Sequence, residues 1–589
     1  MRASILLVAA FVAVAAALPM QSHPTCRPPK NEWANGELVL SPRPHEYLNV
    51  EDLPDSFTWG NVNGVNYLSE RRNQHGPESY CGSCWDVATT NAVSDRIAIL
   101  RKNAYPPVVL SAQVVLNCGY GGSCGGGSAS GVYEALNKYG LPDETCQAYA
   151  GDIAQACKDV NICETCGSSG CTAISNFTMY YVSEYGTVRG ADKMKAEIFA
   201  RGPISCGIDA TAALEAYTGG VFSEFSVLPI INHEISVVGW GTNGSTSYWI
   251  VRNSWGSFYG EDGFFRIKMG GDNLAIETDC SWGVPTLTKP STAAPKVAAP
   301  VPVPAPAAKT PAELGLYHDL SRPGVRIDRT ASRQMNIVSP QPFEFLSVGD
   351  LPASFDWSNV NNTNYLPSPR NQHIPQYCGS CWAHATTSAL SARYFIANNA
   401  QGIPFNLSPQ ILINCVTANQ TQGCNGGDPL AAYAWIAVNG IHDDTGTWYE
   451  AKNLPCTDYY KCHTCEPSGK CNAVPNCLNF GVAQFGEIVG EAAMKAEIFA
   501  RGPVAVTIAV TTDLINYTGG VFHDTTGAIG DDHSVMLTGW GVDNSGTPYW
   551  TIVNSWGTYW GETGAARIVR GVNNLGIESQ GAQWATPRL

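Results

Sequence analysis

The chain reads as a two-lobed fold built twice in tandem, and three features of its 589 residues point there. Two long blocks match with an offset of about 300 residues, the length of a whole domain pair and far beyond the period of a stacked-repeat protein. The pentapeptide CGSCW stands at Cys81–Trp85 and again at Cys378–Trp382, each time followed far downstream by a lone His and then by NSWG. Between the blocks, residues 287–312 are almost wholly Pro, Ala and Val, which favours an extended spacer over a folded element.

Residues 1–17 carry Arg2 and then an unbroken small and apolar run from Ile5 to Ala17, with Ala15 and Ala17 suited to signal-peptidase cleavage. That run is shorter than the roughly 20 residues a membrane-spanning helix needs, so a cleaved secretory signal is expected and no membrane span. Residues 18–52 are then a short propeptide, 53–286 a first unit, 287–312 the linker, 313–350 a propeptide-like preface and 351–589 a second unit. The units align through LPDSFTWGNVNGVNYL from Leu53 and LPASFDWSNVNNTNYL from Leu351, and MKAEIFARGP is identical at Met194–Pro203 and Met494–Pro503. Each unit, of about 230 residues, is large enough to bury its own core. The linker is expected to be protease-sensitive, which would let the units separate.

A formal charge of −15 with no basic run leaves nothing to neutralise phosphates, which argues against a nucleic-acid partner. Such a chain suits an acidic lumen, where its carboxylates shed charge. Sequons at Asn176, Asn243, Asn361, Asn419 and Asn516 fit secretory passage, to a lysosome or outside the cell, with N-glycans; Asn406 is discounted because Pro409 follows its sequon.

Of the 21 cysteines, setting aside Cys84 and Cys381 leaves an even number in each unit, as a disulfide framework with one free thiol per unit would give. Cys206 and Cys280 align with Val506 and Gly581 and are absent together from unit two, so they are expected to form one bridge. Cys146 aligns with Gly446 while Cys477 stands opposite Phe177, which suggests a rerouted bridge. The CxxC pairs Cys163/Cys166 and Cys462/Cys465 lack a second ligand pair at zinc spacing, so no metal or other cofactor is expected. No βαβ pattern surrounds CGSC to favour a redox reading.

A sulfur nucleophile, a distant imidazole and an amide to orient it make a Cys/His/Asn hydrolase constellation. The candidates are Cys84, His233 and Asn253 in unit one and Cys381, His533 and Asn554 in unit two. Nucleophile and base lie about 150 positions apart, so each unit must bring two lobes together. Small residues Gly82, Ser83, Gly379 and Ser380 suit a tight entry into a helix beginning at the Cys. There the helix dipole and an imidazolium would favour thiolate and lower the thiol pKa. Trp255 and Trp556 would shield the His–Asn hydrogen bond from water.

Both units resemble the papain family of cysteine proteases, and within it the cathepsin X (cathepsin Z) branch. The carriers are RNQHIPQYCGSCW (Arg370–Trp382), INHEISVVGWG (Ile231–Gly241), YWIVRNSWG (Tyr248–Gly256) and NYTGGVF (Asn516–Phe522). The resemblance implies an α+β fold, a papain-like pair of lobes in which a helical lobe carries the Cys and a β-rich lobe the His and Asn. It implies that Gln74 and Gln372 donate to the oxyanion. It also implies that His75 and His373, on a loop closing the primed side of the cleft, meet a substrate's terminal carboxylate by a charge-assisted bond. The function implied is acid-optimum carboxypeptidase activity on peptides and proteins.

In unit one the loop (His75, Gly76, Pro77, Glu78, Ser79, Tyr80) is one residue longer, with a flexible Gly and an added carboxylate able to repel the substrate's own. Asp86 replaces Ala383 two residues after the nucleophile, about 200° around the helix and so pointing away from the cleft. The resemblance further implies that Cys26 blocks Cys84 as a disulfide, whereas residues 313–350 hold no Cys and cannot block unit two in that way. Two alternatives stay open: an endopeptidase, if the loop swings clear, and a unit one that binds peptide ends without turnover.

Overall fold

The computed structural model describes residues 26, 34, 36–152, 156–224, 226, 228–290, 324–328, 333, 335–402, 404–418 and 420–589. The expected signal segment, most of the linker and Asn419 lie outside these residues. No helix among those described is long and apolar enough to cross a membrane.

Each unit is built around one long helix that starts at its CGSCW cysteine, Cys84–Leu100 in unit one and Cys381–Ala397 in unit two. Neither contains Gly or Pro, and both run through the middle of their unit with nearly every side chain buried up to Ile97 or Tyr394. Burying the polar residues on such a helix is tolerable because their hydroxyls bond back one turn. Thr89 Oγ1 donates to Trp85 O (2.7 Å), Thr90 Oγ1 to Asp86 O (2.9 Å) and Ser94 Oγ to Thr90 O (2.7 Å), and Thr386 and Thr387 do the same in unit two.

The identical MKAEIFARGP segments explain how this helix is fixed to the β-rich lobe. Buried Arg96 donates to Pro203 O (2.6 Å), Gly202 O (3.0 Å) and Glu197 Oε1 (3.0 Å). Arg393 repeats the pattern on Pro503 O (2.7 Å), Gly502 O (2.9 Å) and Glu497 Oε1 (2.9 Å). A guanidinium has five donors and no acceptor, so one buried Arg needs this cluster of carbonyls and a carboxylate around it.

The β-rich lobe is an eight-stranded sheet in each unit. In unit one the order is Tyr181–Val188, Cys280–Thr286, Ile204–Ile208, His233–Asn243, Thr246–Arg252, Phe264–Lys268 and Val221–Phe222, with Phe57–Thr58 also pairing with the His233 strand. All neighbours are antiparallel except the last pair, Phe264–Lys268 with Val221–Phe222. Trp240, Trp249 and Trp282 fill its core, and Trp540, Trp550 and Trp584 fill that of unit two. The helical lobe packs separately around Trp85 or Trp382.

Ten disulfides account for all cysteines but Cys381. Cys206 pairs with Cys280, as expected. Strand register corrects the aligned partner, however: Cys280 sits opposite Cys206 where Ala582, not Gly581, sits opposite Val506. The rerouting is also present, Cys163 pairing with Cys146 and its counterpart Cys462 with Cys477. The two units contact each other reciprocally, with Asn73 Nδ2 donating to Thr445 O (3.0 Å) and Asn371 Nδ2 to Thr145 O (2.9 Å).

Candidate active site

In both units the nucleophile candidate is the first residue of its helix, and the His candidate is the first residue of the long central strand, His233–Asn243 or His533–Val542. The cleft between the lobes is where these two ends meet. In unit one the sulfurs of Cys26 and Cys84 and a ring nitrogen of His233 lie within 4.8 Å of one another. His233 Nε2 is 2.8 Å from Asn253 Oδ1, and His533 Nε2 is 2.7 Å from Asn554 Oδ1. An amide oxygen can only accept, so Nε2 carries the proton and Nδ1 is left toward the sulfur. The Trp255 ring stacks on His233 at 4.7 Å, and Trp556 covers His533 at the same distance, as the shielding role requires.

Gln74 and Gln372 are oriented by groups that sequence reasoning passed over. Ser254 Oγ donates to Gln74 Oε1 and Ser555 Oγ to Gln372 Oε1, both at 2.7 Å, so the second letter of NSWG fixes the orientation of each amide. The amide nitrogens then donate to Cys81 O (3.1 Å) and Cys378 O (3.0 Å). Tyr149 and Tyr449 hydroxyls, each 2.8 Å from the Gln74 or Gln372 carbonyl, also reach Ser83 (2.7 Å) and Ser380 (2.6 Å). They tie the segment that carries Gln74 or Gln372 to the residue before each nucleophile candidate.

The loop histidines occupy equivalent places. His75 stacks on Tyr80 at 4.7 Å and His373 on Tyr377 at 5.3 Å, and each lies 6.2 Å from the Trp that covers the catalytic His candidate. Gly76 is not there for flexibility: an added Cβ would lie 2.1 Å from the ring of Trp448 of unit two. The Glu78 carboxylate is turned outward to Lys452 Nζ at 2.5 Å, and that hydrogen bond and charge hold its pKa below the usual range.

Asp86 is completely buried rather than merely facing away, and neither of its oxygens has a hydrogen-bond partner among the described residues. Burial pushes its pKa well above the carboxylate range, with Arg72 opposing and Glu144 reinforcing. Burial thus disfavours a negative charge at Asp86, and with it the repulsion of a thiolate at Cys84 that this acid would otherwise exert. His384 of unit two, one position further on than Ala383, is buried too; burial and then the Arg370 charge lower its pKa to about 3.

In both clefts a described residue from the segment that precedes the unit lies against the Cys candidate. Cys26 forms a disulfide with Cys84, its N–H donates to Asn232 O (3.1 Å) and its carbonyl accepts from Gly127 N (3.2 Å). In unit two Gly324 follows the same track, with its N–H on Asp532 O (2.9 Å) and its carbonyl on Gly427 N (3.4 Å). A Cβ at Gly324 would lie 2.5 Å from Cys381 Sγ. The absence of a cysteine thus does not leave unit two open. Its thiol also departs from the expected low pKa: burial under this segment pushes Cys381 up to about 12, against backbone N–H groups that favour the thiolate. The four CxxC sulfurs considered for zinc are all in disulfides.

A family model for papain family cysteine proteases matches residues 53–284 and 351–584, most of the chain, and the chain belongs to that family. Over 249 residues it is 46% identical to cathepsin Z of Onchocerca volvulus, covering 41% of this chain and 80% of that protein. It is 36% identical over 270 residues to cathepsin B-like cysteine proteinase 6 of Caenorhabditis elegans, covering 41% of this chain and 68% of that protein. Among solved structures, procathepsin B S9 from Trypanosoma congolense is 25% identical, covering 47% of this chain and 91% of that one at a TM-score of 0.38.

Proposed function

We propose that both units are carboxypeptidases, synthesised latent and working in an acidic compartment of the secretory pathway or outside the cell. The observation that supports this reading is that His75 and His373 lie 6.2 Å from the Trp that covers each catalytic His candidate, so that each loop imidazole stands beside the Cys/His pair. A terminal carboxylate there would meet an imidazolium below about pH 6.5, a charge-assisted bond. The similarity to cathepsin Z supports the same reading. Ten disulfides fit an oxidising lumen, and Asn176, Asn243 and Asn361 are exposed for glycosylation while Asn406 is buried against Glu70.

Once the occluding segment leaves, the Cys84 or Cys381 thiolate attacks the scissile carbonyl carbon. The oxyanion is held by the Gln74 or Gln372 amide and the backbone N–H of the Cys. His233 or His533 protonates the leaving amine, which departs as a free amino acid, and then takes a proton from the water that hydrolyses the thioester. Asn253 and Asn554 keep the ring in the required tautomer. The alternative reading of unit one as a non-catalytic binder drew on the loop His75 together with Asp86 and Glu78; the pairing of Glu78 with Lys452 and the burial of Asp86 favour the catalytic reading.

The test is mass-spectrometric product analysis of one peptide with a free and with an amidated C-terminus, using Cys84→Ser and Cys381→Ser chains to isolate each unit. Stepwise loss of single C-terminal residues, at least about tenfold faster from the free acid, is expected. Equal rates on both peptides would overturn the carboxypeptidase assignment.

A further inference from the structure

We propose that the two units form a heterotypic pair that stays docked after the linker is cut, each unit positioning the loop that closes the other's cleft. The second half of this statement rests on the carboxypeptidase reading above; the first does not.

The contacts between the units are reciprocal, as in a twofold dimer whose two surfaces are the same patch. Besides the Asn73–Thr445 and Asn371–Thr145 bonds, Ser257 N donates to Thr445 Oγ1 (2.9 Å) and Thr558 N to Thr145 Oγ1 (3.0 Å). The strand pair around Cys465–Cys471 of unit two reaches the unit-one loop, where Cys465 N donates to His75 O (2.8 Å). The pair around Cys166–Cys171 of unit one does the same to unit two, with Cys166 N on His373 O (3.0 Å). Both loop histidines are thus held through their own carbonyls by the opposite unit.

The side chains in this frame are inverted in size. Gly76 of unit one receives the ring of Trp448, and its φ is not in the left-handed region, so it is this close approach that demands glycine. The equivalent positions in the other half are Ile374, which is buried, and Ala148, both lining the cavity of about 140 Å³ between the units. Two copies of unit two would bring Ile374 against Trp448, and two copies of unit one would leave Gly76 facing Ala148 across a void. Overlap excludes the first pairing and lost packing weakens the second, so only unlike units fit. Polar contacts are one-sided as well: His463 Nε2 lies 2.7 Å from Pro77 O, where unit one has Glu164, and Lys452 meets Glu78.

The experiment places a specific protease site in the linker of the full chain, nicks it, and follows the two fragments by native mass spectrometry at acidic pH. One complex holding both fragments is expected; fragments that separate as monomers, or re-pair like with like, would overturn the proposal. Gly76→Ile should release the fragments on nicking, and adding Trp448→Ala should restore docking. A nicked Gly76→Ile chain that remains docked would overturn the size argument, and the double variant guards against a mere folding defect. Preference for a free over an amidated C-terminus is then compared in docked and released fragments. A drop of at least tenfold on release is expected, and an unchanged preference would overturn the positioning role. An intact chain showing no preference would instead sink the carboxypeptidase reading while leaving the docking result standing.

Discussion

The two nucleophile helices pass through the same surroundings and meet them with opposite chemistry. In unit one Asp95 is buried and receives Arg252 Nη2 (2.6 Å), Ser69 N (2.6 Å) and Ser69 Oγ (2.7 Å); burial still raises its pKa against all of these partners. In unit two the equivalent residues are Ala392 and Val553, which simply pack. Unit one adds the Cys206–Cys280 bridge where unit two has Val506 opposite Ala582. Unit one is closed by a covalent bond from Cys26, unit two by backbone hydrogen bonds from Gly324. One fold therefore accepts either polar and covalent fastening or apolar packing at the same points, and what it keeps in both copies is the Cys/His/Asn/Gln frame.

The latency difference should give the largest effect. Proteolytic removal of both prefaces without reductant should leave Cys381 open to an epoxide label and Cys84 unlabelled, read by peptide mapping; a thiol reductant should then open Cys84. Gly324→Cys should transfer the reductant requirement to unit two. Labelling of Cys84 in the absence of reductant would break the contrast.

Next in size is the buried ion pair. Arg252→Val alone leaves Asp95 buried without its cation and should cost about 3–5 kcal/mol, whereas Arg252→Val with Asp95→Ala should be close to neutral. Denaturant unfolding of these two variants and of Asp95→Ala alone gives the coupling energy, and equal losses in Arg252→Val and the double variant would show that unit two is no guide to unit one. Replacing Cys206 by Val and Cys280 by Ala should cost unit one roughly 2–4 kcal/mol, measured in the same way.

The smallest effect is a pH dependence of docking. Glu70 lies in the cavity between the units, bonded by Asn406 Nδ2 (2.5 Å) and faced by Glu144, Asp444, Arg370, Arg72 and Ser368. Burial and then Glu144 raise its pKa from 4.5 to about 7, with Arg370 and Arg72 opposing. The docked state holds the extra proton between those values, so docking is strongest at pH 4.5 and below and weakens as pH rises to about 7. Glu70→Gln should flatten this profile in the nicked chain; an unchanged profile would assign the effect to another group.

Much of the site was legible because its residues lie in short strings whose order is dictated by local chemistry. CGSCW announces a helix that begins at a cysteine, and RNQH and NSWG mark the segments that carry Gln74 and Asn253. The cysteine repeat disclosed the Cys206–Cys280 bridge and the rerouted one because loss of one partner makes the other useless. Gly324 was invisible because a glycine that replaces a blocking cysteine looks like any other glycine. The burial of Asp86 and Cys381 was not legible for a shared reason: helix geometry set their direction, but neighbours brought in from far along the chain set their solvation. Gly76 read as flexibility because its neighbour, Trp448, belongs to the other unit.

By itself the sequence determined the tandem α+β architecture, the papain family and the set of groups able to do the chemistry, since residue type and order are enough to specify which atoms can donate, accept or attack. Only the tertiary structure decided that both clefts are filled, that a thiol meant to ionise is held neutral, and that the two units interlock through inverted pairs of large and small side chains. Those outcomes depend on which surfaces exclude water from which, and that is a property of three-dimensional neighbours rather than of sequence neighbours.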